Sequence, residues 1–209
     1  MSWPNDLYYI QVVILSVIPV LRWDRFTAIQ RTIARVVIVV VIHDYLAKLS
    51  GAMGIDLWLT HFYVPIHFLA VTEVYKRVLR KLYKQRYFQY LQVGFLVFSV
   101  VNSLFIQEEG VFTSNAIVIS YGTFIFLSLS SFYQLLKYPE GPFPERNPIV
   151  WFNMGVLLYY SGALLLFVFI NDLIDSPEFI ENNYWNLNTA LNIILMSFYA
   201  IGLCVRPKN

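Results

Sequence analysis

Tyr75-Lys76-Arg77-Val78-Leu79-Arg80-Lys81-Leu82-Tyr83-Lys84-Gln85-Arg86-Tyr87 is the most strongly charged stretch of the chain. It holds six of the fifteen Lys and Arg residues and no acid. Long apolar runs flank it on both sides. In a membrane protein, a short basic segment between two spans stays in the cytoplasm. That one placement fixes the side of every other loop.

Composition sets the class around it. Apolar residues make up 58% of the chain and charged residues 13%, against about 45–50% and about 25% in soluble domains. The surplus is gathered into runs close to the roughly 20 residues that a bilayer-crossing helix needs. A soluble helix would carry a polar face at helical period. A β-barrel would alternate over strands of about ten residues. Neither pattern is present, so the expected class is an all-α integral membrane protein with the lipid bilayer as its first partner. The net charge of +2 leaves no electrostatic footprint for nucleic acid, and none is expected to bind. With one cysteine, Cys204, no internal disulfide can form. Met1-Ser2-Trp3-Pro4-Asn5-Asp6 lacks a basic n-region, so the first apolar run is expected to stay as a span.

Seven segments are expected to be helices: 7–21, 33–49, 57–75, 88–106, 116–136, 149–174 and 187–205. Charge tests the count. Segments 22–35, 76–86, 137–146 and the C-terminal tail hold fourteen of the fifteen basic residues, Lys48 being the exception. The alternate segments contain Asp6, Asp56, Glu108, Glu109, Asp172, Asp175, Glu178 and Glu181. Six or eight spans would break this alternation. The expectation is a single seven-transmembrane-helix bundle over 1–209, N-terminus outside and C-terminus cytoplasmic, in a bacterial inner membrane. Segment 138–148 has four prolines and is expected to be stiff and non-helical, with Pro148 suited to the first turn of the sixth helix. Tyr184 and Trp185 stand where an interfacial aromatic anchor would lie.

Polar groups inside a membrane are costly and are the default functional candidates. The second and third helices carry His43, Asp44, His61, His67 and Glu73. Folding this pair about Met53 sets Asp44 opposite His61 or Phe62, and His43 near Tyr63. The functional reading is a proton relay or pH switch. The structural reading pairs Asp44 with Lys48 one turn on, and Glu73 with Lys76 and Arg77. Histidines on facing helices can also ligate haem or metal. However, His61 and His67 lie about 120° apart on an ideal helix. No cofactor, metal site or catalytic constellation is expected; whether the chain is an enzyme stays open, with a non-enzyme as the first reading and a membrane enzyme or haem protein using His43, His61 or His67 as an alternative.

The remaining spans carry amides and tyrosines. Asn153, Tyr160, Phe167 and Asn171 share one face of the sixth helix; Asn188, Asn192 and Tyr199 share one face of the seventh. Asn102 and Ser120, Ser128, Ser130 and Ser131 add to them. This set predicts either an outward-opening polar pocket, with Asn102, Asn153, Tyr160, Asn188 and Asn192 as candidate ligand contacts, or helix-to-helix hydrogen bonds. Gly155, Ser161 and Gly162 fit close helix packing. In the basic stretch, Lys76, Arg80 and Lys84 are four apart, as are Arg77 and Lys81, the spacing of a third helix continued into the cytoplasm. Arg77, Arg80, Lys81 and Lys84 are the candidate contacts for a cytoplasmic partner or acidic lipid.

Phe132-Tyr133-Gln134-Leu135-Leu136-Lys137-Tyr138-Pro139-Glu140, Arg146-Asn147-Pro148, Trp151-Phe152-Asn153, Tyr159-Tyr160-Ser161-Gly162, Trp185-Asn186-Leu187-Asn188, Leu191-Asn192-Ile193-Ile194-Leu195 and Tyr199-Ala200-Ile201-Gly202 carry a resemblance. Over its last third the chain resembles poorly characterised Bacteroidota multi-span membrane proteins, often encoded beside histidine kinases. The resemblance implies a signalling association and transfers no catalytic residue. The expected function is a membrane sensor or signalling-associated subunit. It would bind a small or lipidic ligand and couple to a histidine kinase or other cytoplasmic partner, alone or as a homo-oligomer. The alternatives are a transporter or channel subunit, or a haem- or metal-binding membrane protein.

Overall fold

The structure is a computed structural model that describes residues 3–51, 56–106, 114–139, 144–173 and 185–206. Among them are seven long helices: α1 (Trp3–Arg22), α2 (Ala28–Gly51), α3 (Asp56–Val78), α4 (Gln85–Val101), α5 (Ser114–Lys137), α6 (Pro148–Leu173) and α7 (Trp185–Cys204). Each overlies an expected segment to within a few residues. No strand occurs among the described residues. Five helices are long and apolar enough to cross a membrane: α1, α4, α5, α6 and α7. The other two, α2 and α3, are as long, but they carry the histidines, Asp44, Lys48 and Glu73, which dilute their hydropathy.

Named contacts fix the up-and-down order. Tyr8 near the start of α1 meets Asp44 near the end of α2. Gln30 at the start of α2 meets the end of α7. Gln134 near the end of α5 meets Val78 at the end of α3. A Cβ on Gly155 would meet Leu195 and Phe198, one on Gly162 would meet Leu191, and one on Gly202 would meet Pro148, so α6 and α7 run antiparallel in close contact. One end of the bundle therefore gathers the starts of α2, α4 and α6 with the ends of α1, α3, α5 and α7. The basic segments lie at that end. α1, α2, α3, α5, α6 and α7 form a ring, while α4 packs mainly on the outside of α3. Phe68 of α3 and Phe95 of α4 stack there at 3.7 Å.

Local chemistry explains the ends. Thr27-Ala28-Ile29-Gln30 is a capping box: the Thr27 N–H donates to Gln30 Oε1 at 3.1 Å, and the Gln30 N–H donates to Thr27 Oγ1 at 3.3 Å. The Gln30 amide then donates to the carbonyls of Gly202, Leu203 and Val205, which α7 leaves without intrahelical partners. Pro148 opens α6 as expected. The proline-rich segment is not wholly irregular, since Pro144–Arg146 forms a 3-10 turn held by the Trp151 indole donating to the Glu145 carbonyl at 2.7 Å. The side chains of Phe167, Asn171, Tyr184 and Trp185, and of the acids Asp56, Glu108, Glu109, Asp172, Asp175, Glu178 and Glu181, lie outside the described residues.

The basic stretch does not continue α3. The helix stops at Val78, a 3-10 turn covers Leu79–Lys81, and α4 begins at Gln85. Lys76, Arg80 and Lys84 therefore share no single helical face. Two contacts break the helix where no Gly or Pro does. Leu79 is fully buried, and the Gln134 amide takes the Val78 carbonyl at 2.8 Å.

Candidate functional site

α3 presents Thr60, Tyr63, Val64 and His67 in one stripe, at offsets 0, 3, 4 and 7. This stripe is one wall of a cavity of about 190 Å³ between five helices. Val40 and His43 of α2 face it, as do Ile117, Ser120 and Tyr121 of α5. Tyr159 and Tyr160 of α6 and Asn188, Asn192, Leu195 and Met196 of α7 complete it. These positions fall in the half of the bundle away from the basic end. For scale, an apolar cavity of about 150 Å³ admits benzene. The space here suits a molecule of about one ring, and its walls mix ring surfaces with hydroxyl, amide and imidazole groups.

The polar side chains are wired to one another. Tyr63 lies between the two histidines, stacked on His43 at 3.7 Å and on His67 at 5.1 Å. His67 is buried, and its Nε2 lies 3.3 Å from the Tyr160 hydroxyl. His43 Nδ1 lies 3.5 Å from Asp44 Oδ1, and the Tyr8 hydroxyl donates to Asp44 Oδ2 at 2.6 Å. His43, Tyr63, His67 and Tyr160 thus form a continuous contact path along the cavity wall, which Asp44 joins from behind through His43. Among the described residues no Lys or Arg lines the cavity. The arrangement can hold a small neutral or cationic polar molecule, and it offers nothing to balance an anion.

The expected site residues separate into groups. Tyr160, Asn188 and Asn192 line the cavity, with His43 and His67. Asn153 does not. Its Oδ1 accepts from the Tyr75 hydroxyl at 2.9 Å, its Nδ2 donates to the Ser128 carbonyl at 3.1 Å, and Ser128 Oγ donates to the Asn153 carbonyl at 3.2 Å. That tie joins α3, α5 and α6 about 10 Å nearer the basic end, since seven residues separate Asn153 from Tyr160. Asn102 is also away from the cavity, buried at the head of a π-helical segment, Asn102–Ile106, where it accepts from Asn115 at 3.2 Å.

Asp44 faces neither His61 nor Lys48. Tyr8 of α1 reaches it first, because α1 packs beside the end of α2; the Lys48 ammonium instead sits over the Tyr9 ring at 4.5 Å. His61 turns outward to the π-helical segment that follows α4, its Nδ1 2.9 Å from Ser103 Oγ. Glu73 pairs with Lys76 at 2.9 Å and Arg77 at 3.2 Å, as its spacing implies. Of the four candidate basic contacts, Arg77 is therefore engaged by Glu73, while Arg80, Lys81 and Lys84 are exposed. Sequence reasoning missed Tyr8, Thr60, Tyr121 and Tyr159. The spacing of Thr60 with Tyr63 and His67 was the available signal.

Among the described residues no three His, Cys, Asp or Glu side chains gather as a metal site. His61 and His67 face different helices. The chain matches no family model, no curated protein and no solved structure.

Proposed function

We propose that the chain is a seven-span protein of a bacterial inner membrane, N-terminus outside, that binds a small polar ligand in the outward half of its bundle and passes occupancy to a cytoplasmic signalling partner. The five-helix cavity carries this reading. A molecule seated there touches α2, α3, α5, α6 and α7 at once and can bias how they pack. Toward the basic end the bundle is filled by the Tyr75–Asn153–Ser128 tie and by Phe152 stacked on Tyr199 at 5.1 Å, which favours sensing over conduction. The segregation of basic residues to one end supports the orientation. The resemblance over the last third supports the signalling association. Asp44, with no Lys or Arg paired to it among the described residues, biases the site toward neutral molecules and amines.

The test is mass spectrometry of small molecules released on denaturing the purified protein, beside a Ser120→Leu variant. Ser120 is buried and lines the cavity. A species of about one-ring size is expected from the wild type and lost from the variant. Identical extracts from two equally stable proteins would remove the ligand reading.

A further inference from the structure

We propose that the groove between α4 and α5 holds an acyl chain of an anionic phospholipid whose phosphate lies among Lys81, Lys84 and Lys137. The site is separate from the ligand cavity. It rests on the orientation above only in assigning the lipid to the cytoplasmic leaflet.

The groove exists because α4 leans on α3 rather than on α5. Tyr83, Tyr87, Phe88 and Leu91 form one wall; Phe126 and Leu127 of α5 form the other, around a space of about 400 Å³. The lining is almost wholly apolar. Tyr87 and Phe126 are exposed at its rim, so it opens sideways to the lipid. At its basic end the Tyr83 hydroxyl meets Ser130 Oγ at 3.2 Å, which pins the start of α4 to α5 and closes the groove there.

Cations collect at that closed end. Lys81 and Lys84 flank Tyr83 in sequence, and both are exposed. The Lys81 and Lys137 ammonium groups each lie 5.5 Å from the centroid of the Tyr138 ring, so one ring gathers two charges from different segments. The Arg86 guanidinium lies 5.5 Å from the ring of the groove-lining Tyr87. The first turn of α4 has no acid. Glu73 is taken by Lys76 and Arg77, so it does not offset these charges. An apolar slot that opens to the lipid and ends near several cations is complementary to an anionic phospholipid. Orientation of the chain needs only an excess of Lys and Arg in the cytoplasmic segments. It needs neither a groove nor a tyrosine that gathers lysines at its closed end.

The test offers the purified full-length protein equimolar dioleoyl phosphatidylglycerol and dioleoyl phosphatidylcholine and reads retained lipid by native mass spectrometry. The wild type should hold the phosphatidylglycerol in about fivefold excess. A variant with Lys81, Lys84 and Lys137 all changed to Gln should hold both alike. Phe126→Ser, at an exposed position, should lower retention of both without changing the melting temperature. Equal retention by the wild type would overturn the proposal. So would an unchanged excess in the Gln variant, unchanged retention of both lipids by Phe126→Ser, or a cytoplasmic protein lost from the Gln variant while its lipid ratio stays as in the wild type.

Discussion

Asp44 shows how one carboxylate inside a bundle finds a partner. Helical spacing points to Lys48, one turn away. The structure gives the oxygen to Tyr8 of another helix at 2.6 Å, and Lys48 to the ring of Tyr9. A tyrosine hydroxyl satisfies the carboxylate without a second buried charge, whereas a lysine near the helix end reaches toward polar surroundings. A double-mutant cycle of Tyr8→Phe with Asp44→Asn, read from unfolding in detergent, should give a coupling of about 1 kcal/mol. The cycle of Asp44→Asn with Lys48→Gln should give about zero. Large coupling in the second cycle would restore the helix-local pairing. The partner was not legible in the sequence, because period alone names neighbours on one helix and says nothing of α1 crossing beside α2.

At the scale of elements, apolar runs and charge breaks placed each long helix among the described residues to within a few residues. What escaped was the polar hardware between them. Gln30 is a case that was readable locally and not globally. Thr-x-x-Gln marks a helix start, but nothing in it announces that the same amide closes the end of α7. Gln134 does the same for α3, and that contact ends the helix where the basic spacing predicts continuation. Asn153, expected beside a ligand, is spent joining three helices. Asn153→Ala should lower unfolding stability by about 1–2 kcal/mol while leaving cavity binding in place. Gly155 is tighter still, since a Cβ there would lie 2.9 Å from Phe198 Cβ, an atom that cannot swing away. Gly155→Val should cost about 1–3 kcal/mol, whereas Gly162→Ala, facing the mobile end of Leu191, should cost less. Equal losses at the two glycines would show that α6 and α7 are not held as closely as described.

For the whole molecule, the weak point of hydropathy is also where the candidate site lies. The two helices that fall short of the apolar threshold, α2 and α3, carry the histidines and supply two walls of the cavity. Their polarity is tolerable because these polar groups meet other helices: His43 stacks on Tyr63 of α3, His67 meets the Tyr160 hydroxyl of α6, and Asp44 is held by Tyr8 of α1. A five-span chain, with α2 and α3 both kept on the cytoplasmic side, would leave every other loop where the seven-span chain puts it. The connection between α2 and α3 is the place where the two differ. The deciding measurement is labelling by a membrane-impermeant maleimide of a single cysteine introduced as Met53→Cys in a Cys204→Ser background, in intact spheroplasts and after lysis. Seven spans predict that position 53 labels from outside before lysis, while a Lys84→Cys control labels only afterwards. Labelling of position 53 only after lysis would contradict the seven-span bundle, and with it the outward cavity.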